Sequence, residues 1–201
     1  MRRLWDLDQD LFRRVQTCRT SWLDPAFQAM TWTGVGWVQI LLILAIFVDW
    51  RSGPLPAIRG ALHEAAQGAD ERRTRLAVPL LGSYALSGMV NMVLKQAFDR
   101  DRPSNMPWVN ALEDVRFHSF SSGHTATAFG IACTLWWLTR GTPLSRWGQV
   151  GLVWACAVGF SRMYVGVHWP SDVLSGAVVG SVCGSWVAWL VGRRSANQGK
   201  P

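Results

Sequence analysis

The sequence predicts an all-α membrane protein: a polytopic bundle of about five or six transmembrane helices with an N-terminal amphipathic helix. Three observations carry that prediction. Of 201 residues, 49% are apolar and 13 are Trp, a composition too apolar and too aromatic for an ordinary soluble domain. Five stretches, at 27–48, 76–94, 121–138, 150–167 and 173–191, approach or match the roughly 20 residues needed to cross a bilayer core. Tryptophans gather at span ends (Trp32, Trp50, Trp108, Trp136, Trp137, Trp147, Trp169 and Trp189), as in an interfacial belt. A soluble bundle with core aromatics competes with this reading, and the uncharged last stretch weighs against it. The length suits one membrane-embedded domain, 1–201, with an amphipathic segment at 1–26 and a core bearing the polar motifs at 76–192.

The elements follow in order. Leu4, Leu7, Leu11, Val15, Cys18 and Trp22 recur at steps of three and four, which predicts a helix lying on the membrane surface; the same periodicity fits a cap packed on the bundle. Neither alternative is expected to affect the chemistry. Asp24-Pro25 opens the first span, with proline at an early helical position. A polar loop over 51–75 is expected to hold a short helix around Leu62 to Ala66. The last span carries Gly176, Gly180 and Gly184, four apart, which lets another helix approach closely, either in the same chain or in a homo-oligomer.

The net charge of +7 could serve nucleic acid or an anionic membrane surface, and the spans decide for the membrane, with no nucleic-acid partner. Cys18, Cys133, Cys156 and Cys183 lack metal-type spacing, so neither a disulfide framework nor a metal is expected. Met1-Arg2-Arg3 is followed by Trp5, Asp6 and Asp8 rather than an apolar run, so the spans themselves are expected to direct insertion. Arginines of the 51–75 loop, Arg140 with Arg146, and Arg193 with Arg194 fall on one side if each span crosses once. The positive-inside rule makes that side cytoplasmic, leaving Arg2, Arg3, Arg13, Arg14 and Arg19 unaccounted for on the other.

Three polar stretches sit at span ends, where ionisable groups are costly and point to function: KQAFDRDRP over 95–103, SFSSGH over 119–124, and SRMYVGVHWPSD over 161–172. Alternating spans bring all three to one face. Lys95, Arg102 and Arg162 supply cations, and arginine binds phosphate oxygens bidentately. Ser121 and Ser122 are expected to cap the third span, whose N-terminal N–H groups from Gly123 onward favour an anion. Asp172, in the first turn of the last span, can return to the ring of His168, fix its tautomer and leave its other nitrogen free to attack. His124 is then placed to protonate a leaving oxygen.

These stretches resemble the signature of the type 2 phosphatidic acid phosphatase family, membrane enzymes whose active-site pattern is shared with vanadium haloperoxidases. Lys95, six residues, Arg102 and Pro103 match its first motif. Ser122, Gly123 and His124 match the second, and Ser161, Arg162, His168 and Asp172 the third, all from the second span onward. The resemblance implies a metal-independent, cofactor-free phosphatase with His168 as nucleophile forming a phosphohistidine, Asp172 as its partner and His124 as general acid. It also implies that Lys95, Arg102, Ser122, Gly123 and Arg162 hold the phosphate. Ser121 stands where the family usually has proline. Asp99, Asp101, Arg116 and His118 match no motif and read as a solvated loop face, and 104–119 could form a lid.

Size, span number and motif order are similar to bacterial undecaprenyl diphosphate phosphatases, with phosphatidylglycerophosphate or phosphatidate phosphatases as the alternative. A non-catalytic lipid-anion binder or transporter would use the same cations. The expected partners are a lipid phosphate substrate and membrane lipids, and the expected place is the inner (plasma) membrane, with the site on the non-cytoplasmic face. Arg100 and Arg116 are expected to add charge for a diphosphate.

Overall fold

A computed structural model describes residues 2–45, 69–115 and 118–198, all of them helix, turn or loop. In chain order the helices are α1 (Arg2–Thr17), α2 (Asp24–Thr33), α3 (Gly36–Leu44), α4 (Ala69–Ala97), α5 (Gly123–Thr139), α6 (Ser145–Tyr164) and α7 (Pro170–Gln198). A 3-10 turn at Pro103–Asn105 lies between α4 and α5. The expected short helix around Leu62 to Ala66 falls outside the described residues. Residues 69–75, expected as loop, instead form the first turns of α4.

The bundle is organised around α5, which packs against α4, α6 and α7, while α2 rests on α6 and α3 on α4. Missing side chains let α5 and α7 approach this closely. A Cβ at Gly176, Gly180 or Gly184 would lie 2.6, 2.1 or 2.3 Å from the carbonyl oxygens of Ser122, Ala126 and Gly130 respectively. The glycine stripe is therefore filled by the chain's own α5, the same-chain alternative of the two.

Large apolar side chains point outward: Val78, Met89 and Val93 on α4, Val153 on α6, and Leu174, Val178 and Val182 on α7. An exterior of this kind suits lipid rather than water. Leu76–Ala97 and Pro170–Arg193 are long and apolar enough to cross a membrane, and α2 with α3 adds a third crossing if the pair, bent by 63°, is one broken span. The other expected crossings, α5 and α6, fall outside this set: α5 has 17 residues, and α6 carries Arg146 and Arg162 near its ends. The first span is thus not the continuous helix expected over 27–48, since it breaks around Gly34 and Val35.

The amphipathic segment forms α1 and packs on the bundle, as one of its two readings allowed. Leu4, Leu7 and Leu11 are exposed, whereas Phe12 and Asp8 are buried against the bundle. Gln16 donates to the carbonyl of Met163 at 2.7 Å, fixing α1 to the end of α6. Trp169, expected in the interfacial belt, is instead fully buried, packed against Phe12 and Trp5 and donating through Nε1 to the Asp101 carbonyl at 2.8 Å. A helix laid over it excludes it from the interface.

Candidate active site

The cavity at one end of the bundle, about 570 Å³, is lined by Lys95 from the end of α4, Arg102, Gly123 and His124 at the start of α5, Arg162 from α6, and His168. The convergence read from span alternation is therefore present. Helix ends supply most of these positions: a side chain there reaches the aqueous boundary while its backbone stays in the bundle. Gly166 makes the tight turn after α6 with φ of +86°, a left-handed conformation that favours glycine, and the turn carries His168 back so that its N–H meets the Arg162 carbonyl at 3.3 Å.

Trp32, Val35, Glu113, Asp114 and Val115 complete the wall. The break between α2 and α3 is part of the site. A Cβ on Gly34 would lie 3.0 Å from Cδ2 of His124, so the backbone can pass close to this ring. Thr31, in the last turn of α2, accepts a hydrogen bond from Arg162, whose Nη1 also lies 3.0 Å from a carboxylate oxygen of Glu113. That carboxylate occupies the cation as a phosphate oxygen would.

Arg102 orients His168. Its Nη1 lies 3.2 Å from Nε2 and 2.9 Å from the Val167 carbonyl, and its Nη2 lies 3.2 Å from the His118 carbonyl. A guanidinium can only donate, so Nε2 must present its lone pair and the ring proton belongs on Nδ1. Nδ1 faces Asp172 Oδ2 at 3.5 Å, an ion-pair approach too long for a hydrogen bond. Burial lowers His168 to about 3, with Asp172 opposing and Arg102 and Arg162 adding to the fall, so the ring is neutral at neutral pH. Arg102 is pulled down to about 10 by burial and by Arg162, which leaves it charged.

Asp172 is held tightly. Its Oδ2 accepts from Ser119 Oγ and from the backbone N–H of Trp169 at 3.0 Å, the latter capping the start of α7. Its Oδ1 takes a 2.6 Å ion pair from Arg100. Arg100 also pairs with Asp8 of α1, so it is not among the cavity cations, contrary to expectation: two carboxylates hold it on the far side of Asp172. Arg116 lies outside the described residues.

Ser122 occupies the N-cap of α5 without the capping hydrogen bond expected of it, and it is absent from the cavity wall; its Oγ accepts from Thr125 at 2.9 Å. Ser121 donates to Asn91 at 2.7 Å instead of capping. Lys95 donates to the His118 carbonyl at 2.9 Å. His118 and Asp99, 2.8 Å apart, form an exposed pair on the loop, as a solvated face should. Asp101 pairs with Asn105 at 3.5 Å.

The model of the PAP2 superfamily matches residues 76–196, more than half of the chain. The chain belongs to the PAP2 superfamily. A lipid A 1-phosphatase from Porphyromonas gingivalis is 38% identical over 110 residues, 55% of this chain and 22% of that protein. An undecaprenyl-diphosphatase from Sulfolobus acidocaldarius is 32% identical over 122 residues, 60% of this chain and 55% of that protein. The aligned region thus spans about half or less of these relatives. Among solved structures, the crystal structure of Aquifex aeolicus LpxE matches with a TM-score of 0.70 at 28% identity, covering 90% of this chain and 94% of that one. Every cation and histidine of the cavity lies within the PAP2 region, whereas Thr31, Trp32, Val35 and Asp8 lie before it. Sequence reasoning missed these four, together with Glu113, because no spacing rule ties a broken span or a loop carboxylate to distant motifs.

Proposed function

We propose that this PAP2 protein is a membrane phosphatase that removes a phosphoryl group from a lipid phosphate or diphosphate without a metal, through a phosphohistidine at His168. The supporting observation is the single cavity in which Lys95, Arg102 and Arg162 surround His124 and His168. The phosphate oxygens replace Glu113 on Arg162 and draw Arg102 away from Nε2, which frees that lone pair to attack phosphorus in line. His124 takes up a proton from water as the bound phosphate offsets the three cations, and the P–O bond to the leaving group breaks as it delivers that proton to the departing oxygen. Asp172 stabilises the resulting charge on the His168 ring through Nδ1–H. Water, deprotonated by His124, then cleaves the P–N bond, giving phosphate and the original ring. The three cations carry the charge of the transition state, a task that a metal ion performs in other phosphoryl-transfer sites.

Within that class, undecaprenyl diphosphate is the leading substrate, supported by the relative named undecaprenyl-diphosphatase and by a cation cluster suited to several phosphate oxygens. The relative named lipid A 1-phosphatase supports a lipid A phosphate as the second reading. Purified protein is given undecaprenyl diphosphate, lipid A, phosphatidate and phosphatidylglycerophosphate in one detergent, with phosphate release measured for wild type and His168→Ala. The proposal expects turnover that His168→Ala abolishes, EDTA leaves intact and orthovanadate inhibits, with the highest kcat/KM on the diphosphate. Equal phosphate release by His168→Ala overturns the mechanism. Binding without turnover of any of the four makes the protein a lipid-anion binder.

A further inference from the structure

The polar face of α1 reaches the catalytic carboxylate. Asp8 is buried, although it lies on a helix whose leucines are exposed. One of its oxygens accepts the backbone N–H of Ser171 at 2.8 Å; the other accepts the Ser171 hydroxyl at 2.6 Å and pairs with Arg100. Arg100 spans from Asp8 to Asp172, donating through Nη1 both to Oδ1 of Asp172 and to Ser171 Oγ, each at 2.6 Å. The rings of Trp5 and Trp169 flank the guanidinium at 5.1 and 5.8 Å from their centroids. Helix α1 is thus joined to Asp172 by consecutive charge-assisted bonds through residues that do not line the phosphate cavity.

We infer that Arg100 and Asp8 are positioning residues for the reaction: Arg100 fixes the rotamer of Asp172 so that Oδ2 faces His168, and Asp8 holds Arg100 there. The inference rests on the roles proposed above for His168 and Asp172. Three features support it. Ser119 and the Trp169 N–H hold Oδ2 of Asp172, and Arg100 holds Oδ1, so the guanidinium fixes the second end of a carboxylate whose ring partner stands 3.5 Å off. Neither Arg100 nor Asp8 lines the phosphate cavity, so neither holds substrate there. The charges also alternate, Asp8, Arg100, Asp172, so the guanidinium lies between two carboxylates, and removing Asp8 would leave Arg100 less firmly oriented.

Such a role affects kcat and leaves anion affinity alone. The test measures kcat per orthovanadate-binding site, counted by equilibrium binding, together with KM and the vanadate Ki, for a detergent-soluble polyprenyl diphosphate. Arg100→Gln is expected to lose roughly tenfold or more in kcat per site, the scale on which outer-shell partners of reacting groups act. KM and vanadate Ki should stay within about twofold, and Arg100→Lys should recover most of the loss. Asp8→Asn keeps an acceptor for the Ser171 N–H while removing the charge, so it should lower kcat per site by less. The double variant should fall no further than Arg100→Gln, because Asp8 acts through Arg100. Asp6→Asn, on the exposed face, should match wild type.

Fewer vanadate sites with unchanged kcat per site, or losses that simply add in the double variant, would reduce the pair to a fold-stabilising contact and overturn the inference. Should Arg100→Gln yield no folded protein, Asp8→Asn and Arg100→Lys decide the matter in the same units. Activity in His168→Ala overturns the catalytic reading and this inference with it. An inert His168→Ala alongside a fully active Asp8→Asn overturns this inference alone.

Discussion

His168 is a histidine kept neutral by its surroundings, and that has a measurable sign. Arg102, Arg162, Lys95, His124, Glu113, Asp114 and Asp172 are charged or titratable groups around it, and burial lowers it to about 3 from an ordinary value of 6.5. Between those two values the unfolded chain binds a proton that the folded chain refuses, so this group's contribution is complete above 6.5 and is lost as pH falls toward 3. The Tm should therefore drop over that window, and His168→Asn should flatten the slope; an unaltered slope would place the titration elsewhere. Glu113 carries a second prediction. Its carboxylate must leave Arg162 before an oxyanion binds there, so Glu113→Gln should tighten orthovanadate about fivefold, the equivalent of ~1 kcal/mol. Weaker vanadate binding would instead mean that Glu113 holds Arg162 in place. The cations and histidines were legible in the sequence because phosphate chemistry restricts which residue types can serve. Glu113 and Asp8 were not, because a carboxylate in a loop or on an amphipathic helix is ordinarily solvated, and only the fold shows what it faces.

At the level of elements, periodicity located the helices, and backbone contacts decided how they pack. The stripe of Gly176, Gly180 and Gly184 announced a close approach without naming the partner, since small residues fit another chain as well as a neighbouring helix. Its contact with α5 predicts a steep response. Gly180→Ala places a methyl group 2.1 Å from a helix carbonyl that cannot swing aside, so stability should fall by about 1–3 kcal/mol, whereas Gly192→Ala, which meets nothing within 4 Å, should be neutral. Thermal midpoints in one detergent check both, and equal midpoints would mean that α5 and α7 separate easily. The break between α2 and α3 was hidden because 27–48 carries no charge, and hydropathy reports length rather than direction. The expected Ser122 cap failed for a related reason: residue type allows a cap, but the hydroxyl was already engaged by Thr125.

For the whole molecule, the sequence indicated that three motifs share one end of the bundle, and the cavity has that arrangement. Which end faces the cytoplasm rests on arginine distribution. If the site faces outward, a cysteine at exposed Asn110 in a background without native cysteines should react with an impermeant thiol reagent in intact cells. One at Pro143, in the loop at the other end of α5, should react only after lysis. The reverse pattern would invert the topology. The attachment of α1 also constrains how the molecule comes into being. Asp8 meets Ser171 across 163 positions of chain, and Gln16 meets Met163 across 147. Because synthesis runs from the N-terminus, α1 leaves the ribosome long before its partners have been made, and its exposed leucines can keep it on the bilayer surface in the meantime. The cavity is likewise assembled late: a chain made only as far as the end of α5 holds Lys95, Arg102 and His124 but neither Arg162 nor His168.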